Sequence, residues 1–318
     1  MEVMDQVKHH SHSTHRYRLY MLFGFLAALY FILIYLTNPA SALLSTHLGA
    51  DNDRLVSLLL RLPLELIWLV VLLSYLRLDG YVNHLGDNKD GRHFAYIKNG
   101  LLALSIGMPA LYVLNNLWVL LLQHDVISVS FAGIATTYSQ LIVTAIAILL
   151  IARGTNGINR LAKGYPLNKL TGVLLFVGIA VGASFCFLVA NNVSDPSAAP
   201  SINNVWHYLP AWAVIYTLVV PYLFLWTLGV RSIYEFIRYQ HFVKGNVYRR
   251  ALRNLTAGFA TVIFLNIALQ FITTLSRQSL NLSRLTLFCI AYIIYAIMCL
   301  GYILIATGAG HLQKIEEV

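Results

Sequence analysis

Charged residues are scarce in this chain of 318 residues, where Asp, Glu, Lys and Arg together make up 11%. Soluble globular domains carry about 25%, so the composition excludes an ordinary water-soluble globule. Cysteine is also rare, and Cys186, Cys289 and Cys299 all fall within apolar runs. We expect them to be small packing residues, which excludes a disulfide framework and a cysteine metal site.

The sequence also lacks the common catalytic motifs. No HExxH, GxSxG or Walker pattern occurs, although these patterns mark many hydrolases and nucleotide-using enzymes. Histidines are absent from the middle of the apolar runs, where a membrane haem would need them. The tail histidines, His9, His10, His12 and His15, have no cysteine or carboxylate partner to complete a metal site. We therefore expect no cofactor and no metal, and a non-enzymatic role is favoured.

What the chain does have is apolar sequence, since hydrophobic residues make up 58% of it. Eight runs are each long enough for a helix to cross a hydrocarbon core of about 30 Å. Helices satisfy their own backbone polar groups in lipid, whereas isolated strands do not. The sequence therefore predicts an all-α, polytopic membrane protein with eight transmembrane helices. The predicted spans are Leu19–Thr37, Leu55–Leu76, Asn99–Leu122, Phe131–Ala152, Leu170–Ala190, Tyr208–Val230, Asn254–Leu275 and Leu285–Thr307.

The basic residues predict the orientation of these spans. Of the 22 Lys and Arg residues, all but four fall on one predicted side of the membrane. Arg54, Arg277 and Arg284 lie on the other side, and Arg61 lies inside the second span. Positive loops stay in the cytoplasm, so both termini are predicted to be cytoplasmic. The net charge of +9 then reflects membrane orientation and attraction to the lipid bilayer, and it does not indicate nucleic-acid binding.

Similar segments recur along the chain and indicate an internal duplication. Gly154 and Gly308 close the fourth and eighth spans in similar sequences, and Lys98-Asn99 and Arg253-Asn254 open the third and seventh. Chance similarity among apolar segments is the alternative. Because each unit has four spans, the two repeats would be parallel. The predicted division is a His-rich tail at 1–18, a first four-helix repeat at 19–162 and a second at 163–318.

Glu65 is the most unusual residue within a predicted span. It lies near the middle of the second span, where a charge costs at least about 2.5 kcal/mol. Arg61 precedes it by one helical turn and can pair with it. One interpretation is a polar pocket in which Glu65 binds a cation or a proton. The alternative is a structural ion pair that holds helices together.

Other polar residues occur at similar depth in the outer halves of the spans. If they converge, they form a cavity open to the outside. The alternative for each is a single hydrogen bond to a neighbouring helix, worth about 0.6 kcal/mol. The candidate ligand-binding residues are therefore Glu65, Arg61, Asn115, Asn116, Gln140, Asn266 and Gln270.

Three functions follow from these patterns. The leading hypothesis is binding or transport of a small solute through the outward-facing cavity, with proton or cation coupling through Glu65. The second is a non-catalytic membrane subunit, sensor or assembly factor, and the third is an enzyme acting on lipid-linked substrates. The second is suggested by a basic, aromatic segment, Arg231–Arg253, predicted to be a helical extension in the membrane interface. Its candidate contacts with lipid or a protein partner are Arg238, Lys244, Arg249 and Arg250.

Overall fold

The computed structural model describes residues 2–37, 53–86, 88–161, 213, 215–243, 245–275 and 284–316. Side chains are described from Arg16 in the first helix, from Leu66 in the second, up to Leu265 in the sixth and from Cys289 in the seventh. The predicted span Leu170–Ala190 lies outside these residues. The described residues form seven α-helices: α1 Glu2–Thr37, α2 Asp53–Leu85, α3 Lys89–Gln123, α4 Val129–Leu161, α5 Val220–Phe242, α6 Asn246–Leu275 and α7 Arg284–Glu316.

The chain is a multi-pass helical membrane protein. Within the described part of the chain, five helices contain stretches long and apolar enough to cross a bilayer, and α5 and α6 are not among them. Large apolar side chains are exposed at helical spacing, such as Ile142, Ile146 and Leu149 on α4. A stripe of this kind suits lipid better than water. The five stretches are Arg16–Ile34, Leu66–Leu85, Lys89–Gln123, Ile134–Arg160 and Tyr292–Ile315.

Short turns make neighbouring helices antiparallel. Residues 86–88 join α2 to α3, 124–128 join α3 to α4, and 243–245 join α5 to α6. The closest pairs are α3 with α4 and α6 with α7, and these pairs are connected through α2 against α7 and α4 against α5. α1 packs mainly on α3. We call the end of the bundle where α2 finishes and α3 begins the basic end.

The segment Arg231–Arg253 was predicted to be a helical extension, and its first part does extend α5 to Phe242. The helix stops there, and the last part of the segment begins α6 at Asn246. Gly245 makes the turn between them with a φ of 112°, which favours glycine. The aromatic residues Phe236 and Tyr239 are buried against the rest of the bundle. Their apolar character therefore reflects packing within the protein.

Two glycines let α3 and α4 approach closely. A Cβ atom on Gly100 would lie 2.9 Å from the carbonyl oxygen of Ala147, and one on Gly154 would lie 2.6 Å from the carbonyl oxygen of His93. These distances are below normal van der Waals contact with rigid backbone atoms. The helices can therefore cross at this separation only because both positions lack a side chain.

The α6–α7 hairpin crosses in the same way. A Cβ atom on Gly258 would lie 2.5 Å from the carbonyl oxygen of Gly301, and one on Gly308 would lie 2.8 Å from that of Ala251. Gly258 follows Gly100 by 158 residues and Gly308 follows Gly154 by 154. If Gly100 of α3 and Gly258 of α6 are equivalent positions, their offset of 158 residues is three more than the offset of 155 between Lys98 and Arg253.

Candidate functional site

A cavity of about 170 Å³ lies between α2, α3, α4 and α7. It is located away from the basic end, since Asn115 lies in the last third of α3 and Gln140 in the first half of α4. Most of its wall is apolar, with a few amide and hydroxyl groups. It is lined by Ile67, Leu104, Met108, Leu111, Tyr112, Asn115, Gln140, Val143, Thr144, Tyr295 and Met298.

Asn115 and Gln140, two of the predicted ligand-binding residues, face this cavity from adjacent helices. The Oδ1 atom of Asn115 is buried and accepts no hydrogen bond from any described residue. An unsatisfied buried amide oxygen costs about 1–3 kcal/mol. The cavity therefore contains a polar group that a bound molecule or water could satisfy.

Aromatic side chains hold one wall of the cavity in place. The hydroxyl groups of Tyr112 and Tyr295 lie 2.9 Å apart and form a hydrogen bond between α3 and α7. On the side of α1 and α2, the ring of Tyr112 makes edge contacts with Tyr30 and Trp68, with centroids 5.9 and 5.3 Å away. Pro109 follows the cavity residue Met108 inside α3, where it removes one backbone hydrogen bond from the helix.

Other predicted site residues are placed differently. Asn116 is not among the lining residues, and its amide nitrogen donates to the backbone oxygen of Tyr112 at 2.8 Å. This bond lies within α3, so it is neither a contact with the cavity nor the predicted alternative of a hydrogen bond to a neighbouring helix. The structure describes only the backbone of four other predicted site residues, Glu65 and Arg61 in α2 and Asn266 and Gln270 in α6.

A buried carboxylate, not singled out by sequence analysis, lies toward the basic end. Asp79 on α2 is 6% exposed, and its two oxygens pair with Arg16 of α1 at 3.2 Å and Lys98 of α3 at 3.1 Å. Asn83 donates to the same carboxylate at 3.2 Å. Asp79 thus ties three helices together. The sequence analysis considered only Lys and Arg on the predicted cytoplasmic side, and considering the acidic residues there as well would have identified Asp79.

Glu235 on α5 is a second buried acid, lying beyond the predicted span that ends at Val230. It accepts hydrogen bonds from Arg231 at 3.0 Å and from the Thr155 hydroxyl at 2.9 Å. Burial raises the pKa of the Glu235 carboxyl, and the Thr155 and Arg231 hydrogen bonds act in the opposite direction, as does the charge of Arg238. Arg231 lies four residues before Glu235, a spacing visible in the sequence.

An open groove of about 480 Å³ lies at the basic end, beside the turn between α5 and α6. Arg249 and Arg250, two of the predicted contact residues, line it. Arg238 lies elsewhere, near Glu235, and Lys244 is outside the described residues. The full lining is Gln240, Asn246, Val247, Arg249, Arg250 and Arg253.

Within the described ranges, no three His, Cys, Asp or Glu side chains come close enough together to hold a metal ion. Asp79 and Glu235 each pair with basic or hydroxyl groups instead. The described part of the bundle thus offers two candidate sites, a mostly apolar cavity that contains Asn115 and Gln140, and a basic groove. The chain matches no protein-family model, no curated protein and no solved structure.

Proposed function

We propose that this membrane protein binds a small, uncharged solute in the cavity between α2, α3, α4 and α7. The observation that carries the proposal is the buried, unpartnered Oδ1 atom of Asn115 beside Gln140. A cavity of about 150 Å³ is large enough for a benzene-sized molecule, and this one is about 170 Å³. None of the described residues that line it is charged, so they would not compensate an ion for its lost hydration.

The proposal includes eight transmembrane helices arranged as two parallel four-helix repeats. The matching glycine crossings support the duplication, as do buried residues that recur at a spacing of 158. Trp68 and Trp226 form one such pair on α2 and α5, and Ser74 and Ser232 form another. Chance similarity would not be expected to reproduce both the backbone crossings and these buried positions.

The same spacing relates the cavity to residues on α6. Positions 266 and 270 of α6 correspond to positions 108 and 112 of α3, and Met108 and Tyr112 line the cavity. Thr144 and Met298, which correspond at a spacing of 154, both line it as well. The cavity therefore lies close to the axis that would relate the repeats. Asn266 and Gln270 are proposed to extend its polar lining.

Transport, as opposed to binding alone, is the further step of the proposal. Basic residues of the described helices gather at the basic end, so that end is proposed to be cytoplasmic, with both termini on the same side. The cavity then lies in the outer half of the bundle. Proton or cation coupling is assigned to Glu65, with Arg61 as its counter-charge.

Ligand-induced stabilisation of the purified chain tests the cavity. Benzamide has a size and a hydrogen-bonding group that suit the lining, whereas benzoate has nearly the same shape and carries a charge. We expect benzamide to raise the melting temperature in detergent and benzoate to leave it unchanged. Asn115→Leu should abolish the benzamide effect and raise the stability of the empty protein by about 1 kcal/mol, because it removes an unsatisfied buried amide.

Asn116→Ala is the matched control, because Asn116 is the adjacent asparagine and does not line the cavity. It should lower the baseline stability and keep the full response to benzamide. An equal response of the wild type and Asn115→Leu would contradict the proposed site. Insensitivity to benzamide together with co-purification of a stoichiometric protein would favour the second candidate function, a non-catalytic membrane subunit that docks through the exposed arginines of the basic groove.

A further inference from the structure

Three arginines share the basic groove without a matching carboxylate. Arg249, Arg250 and Arg253 are exposed, and no ion pair joins any of them to the described part of the chain. Arg249 donates to the backbone oxygen of Val243 at 3.4 Å, so it also supports the turn before α6. Gln240 and Asn246 add neutral hydrogen-bonding groups to the lining. The groove therefore concentrates positive charge that the described residues leave uncompensated.

The position of these arginines on α6 makes the local field more positive. Arg249 and Arg250 follow shortly after the first residue of the helix, Asn246. The N-terminus of a helix already carries a partial positive charge, and its first N–H groups lack partners within the helix. Acidic residues normally occupy such a turn, yet the first turn of α6 has none. An external anion would compensate both the helix terminus and the arginines.

The corresponding turn in the other hairpin lacks this feature. α3 has Asp90 in its first turn and Asn88 immediately before it. At a spacing of 158, the positions of Arg249 and Arg250 correspond to Gly91 and Arg92. The concentration of arginines is thus particular to the α5–α6 turn and is not a general property of helix starts at this end.

We propose that the groove binds the headgroup of a phospholipid that carries at least two negative charges. An exposed apolar surface favours a lipid over a soluble phosphate. Val247, which lines the groove, is 67% exposed, and Phe242, two residues after the lining residue Gln240, is 41% exposed. The glycerol and the first acyl carbons would cover these side chains while the phosphates pair with the arginines. The proposal requires the membrane placement of the bundle and is independent of the solute cavity.

Native mass spectrometry of the full chain in a neutral detergent tests this site. The protein is titrated with cardiolipin, which carries two phosphates, and with phosphatidylcholine as the zwitterionic reference. We expect one tightly bound cardiolipin on the wild type. In Arg250→Gln/Arg253→Gln its affinity should fall by about 25-fold, since each arginine near an anionic lipid contributes about fivefold. Arg249 is left intact because of its contact with Val243.

Arg92→Gln/Arg160→Gln is the matched control, since it removes two exposed basic residues from the same end of the bundle outside the groove. Retention of the tight cardiolipin by this variant, with its loss from the groove variant, supports the site. Equal losses of cardiolipin affinity in the two variants would overturn the site in favour of diffuse attraction. Unchanged affinity in the groove variant would also overturn it. Inorganic pyrophosphate that displaces cardiolipin at similar concentration would overturn the assignment to lipid, as would an acidic protein that occupies the groove in its place.

Discussion

The α3–α4 and α6–α7 hairpins share their crossing and differ at their ends. Each crosses through two glycines that lie against the backbone of the partner helix, Gly100 and Gly154 in one and Gly258 and Gly308 in the other. At the basic end, α3 begins with an acid in its first turn, whereas α6 begins with arginines. The shared contacts determine how the helices pack, and the differing ends determine what each hairpin can bind.

The two buried acids show a similar contrast between α2 and α5. Asp79 pairs with two basic residues from two other helices. Glu235 pairs with one exposed arginine of its own helix and with the Thr155 hydroxyl of α4. Asp79 is therefore well compensated for its burial, whereas burial dominates at Glu235. Replacing the acid by its neutral amide should therefore destabilise the protein at Asp79 and should not destabilise it at Glu235.

The largest effect is expected from Asp79→Asn. This change leaves Lys98, which is 18% exposed, without a counter-charge near the membrane. The loss of stability should be about 2–3 kcal/mol, because removing one partner of a buried ion pair is strongly destabilising. The pair with Arg16 contributes less than the pair with Lys98, because Arg16 is 42% exposed and solvent screens its charge. Thermal unfolding in detergent measures this loss.

A double-mutant cycle with Lys98→Gln isolates the ion pair from other effects of Asp79→Asn. The second change removes the uncompensated charge, so the double variant should lose less stability than the sum of the two single variants. Simple additivity would show that Asp79 and Lys98 do not stabilise each other, and Asp79 would then differ little from Glu235.

Smaller losses are expected from alanine at the crossing glycines. Gly154→Ala places a methyl group 2.5 Å from Ile97 Cγ1 and 2.6 Å from the His93 carbonyl oxygen, and Gly308→Ala places one 2.8 Å from the Ala251 carbonyl oxygen. Each should lower stability by about 1–2 kcal/mol through overpacking, with the greater loss at Gly154. Melting temperatures in one detergent allow a direct comparison of the variants.

Gly24→Ala is the control for helix propensity, because nothing lies within 4 Å of its added methyl group. It should leave stability unchanged or raise it slightly. Equal stability of Gly24→Ala and Gly154→Ala would contradict the close approach of α3 and α4. A loss at Gly154 without one at Gly308 would show that the two hairpins do not share one packing mode.

The sequence predicted the helical class and several of the membrane spans because these depend on local composition and length. The seven described helices include the predicted spans or parts of them, and Asn115 and Gln140 line one cavity. Side-chain direction was harder to predict, since Asn115 and Asn116 are adjacent but only Asn115 lines the cavity. Neighbouring residues on a helix point about 100° apart, so depth alone cannot assign a face.

Asp79 and Glu235 were missed for a different reason. Counting basic residues identifies the cytoplasmic side, but that count treats the ends of the helices as solvent-exposed loops. In the fold, α2 and α5 continue past the predicted spans, and both acids are buried by neighbouring helices. Their burial depends on packing against the partner helices α1, α3 and α4, which the composition of α2 and α5 alone does not indicate.

The smallest effect, and the one with the sharpest contrast to Asp79→Asn, is expected from Glu235→Gln. Burial raises the pKa of Glu235 above its ordinary value of 4.5, so folding shifts the carboxyl toward its protonated form. The stability that this raised pKa contributes is fully present below about pH 4.5, the ordinary pKa, and is lost as the pH rises through the raised pKa. Glutamine cannot ionise, and its side-chain oxygen can still accept the Thr155 hydrogen bond. At pH 8 the variant should therefore be as stable as the wild type or more stable, within about 1 kcal/mol.

Melting temperatures of both proteins between pH 4.5 and pH 8 measure this difference. It should be smallest at pH 4.5, the end of the range where Glu235 is most protonated, and largest at pH 8. Arg231 is 57% exposed, so water replaces its lost partner at little cost. A loss at pH 8 as large as that of Asp79→Asn would show that the Arg231 pair outweighs the burial of Glu235. The two acids would then stabilise their helices in the same way, in spite of their different partners.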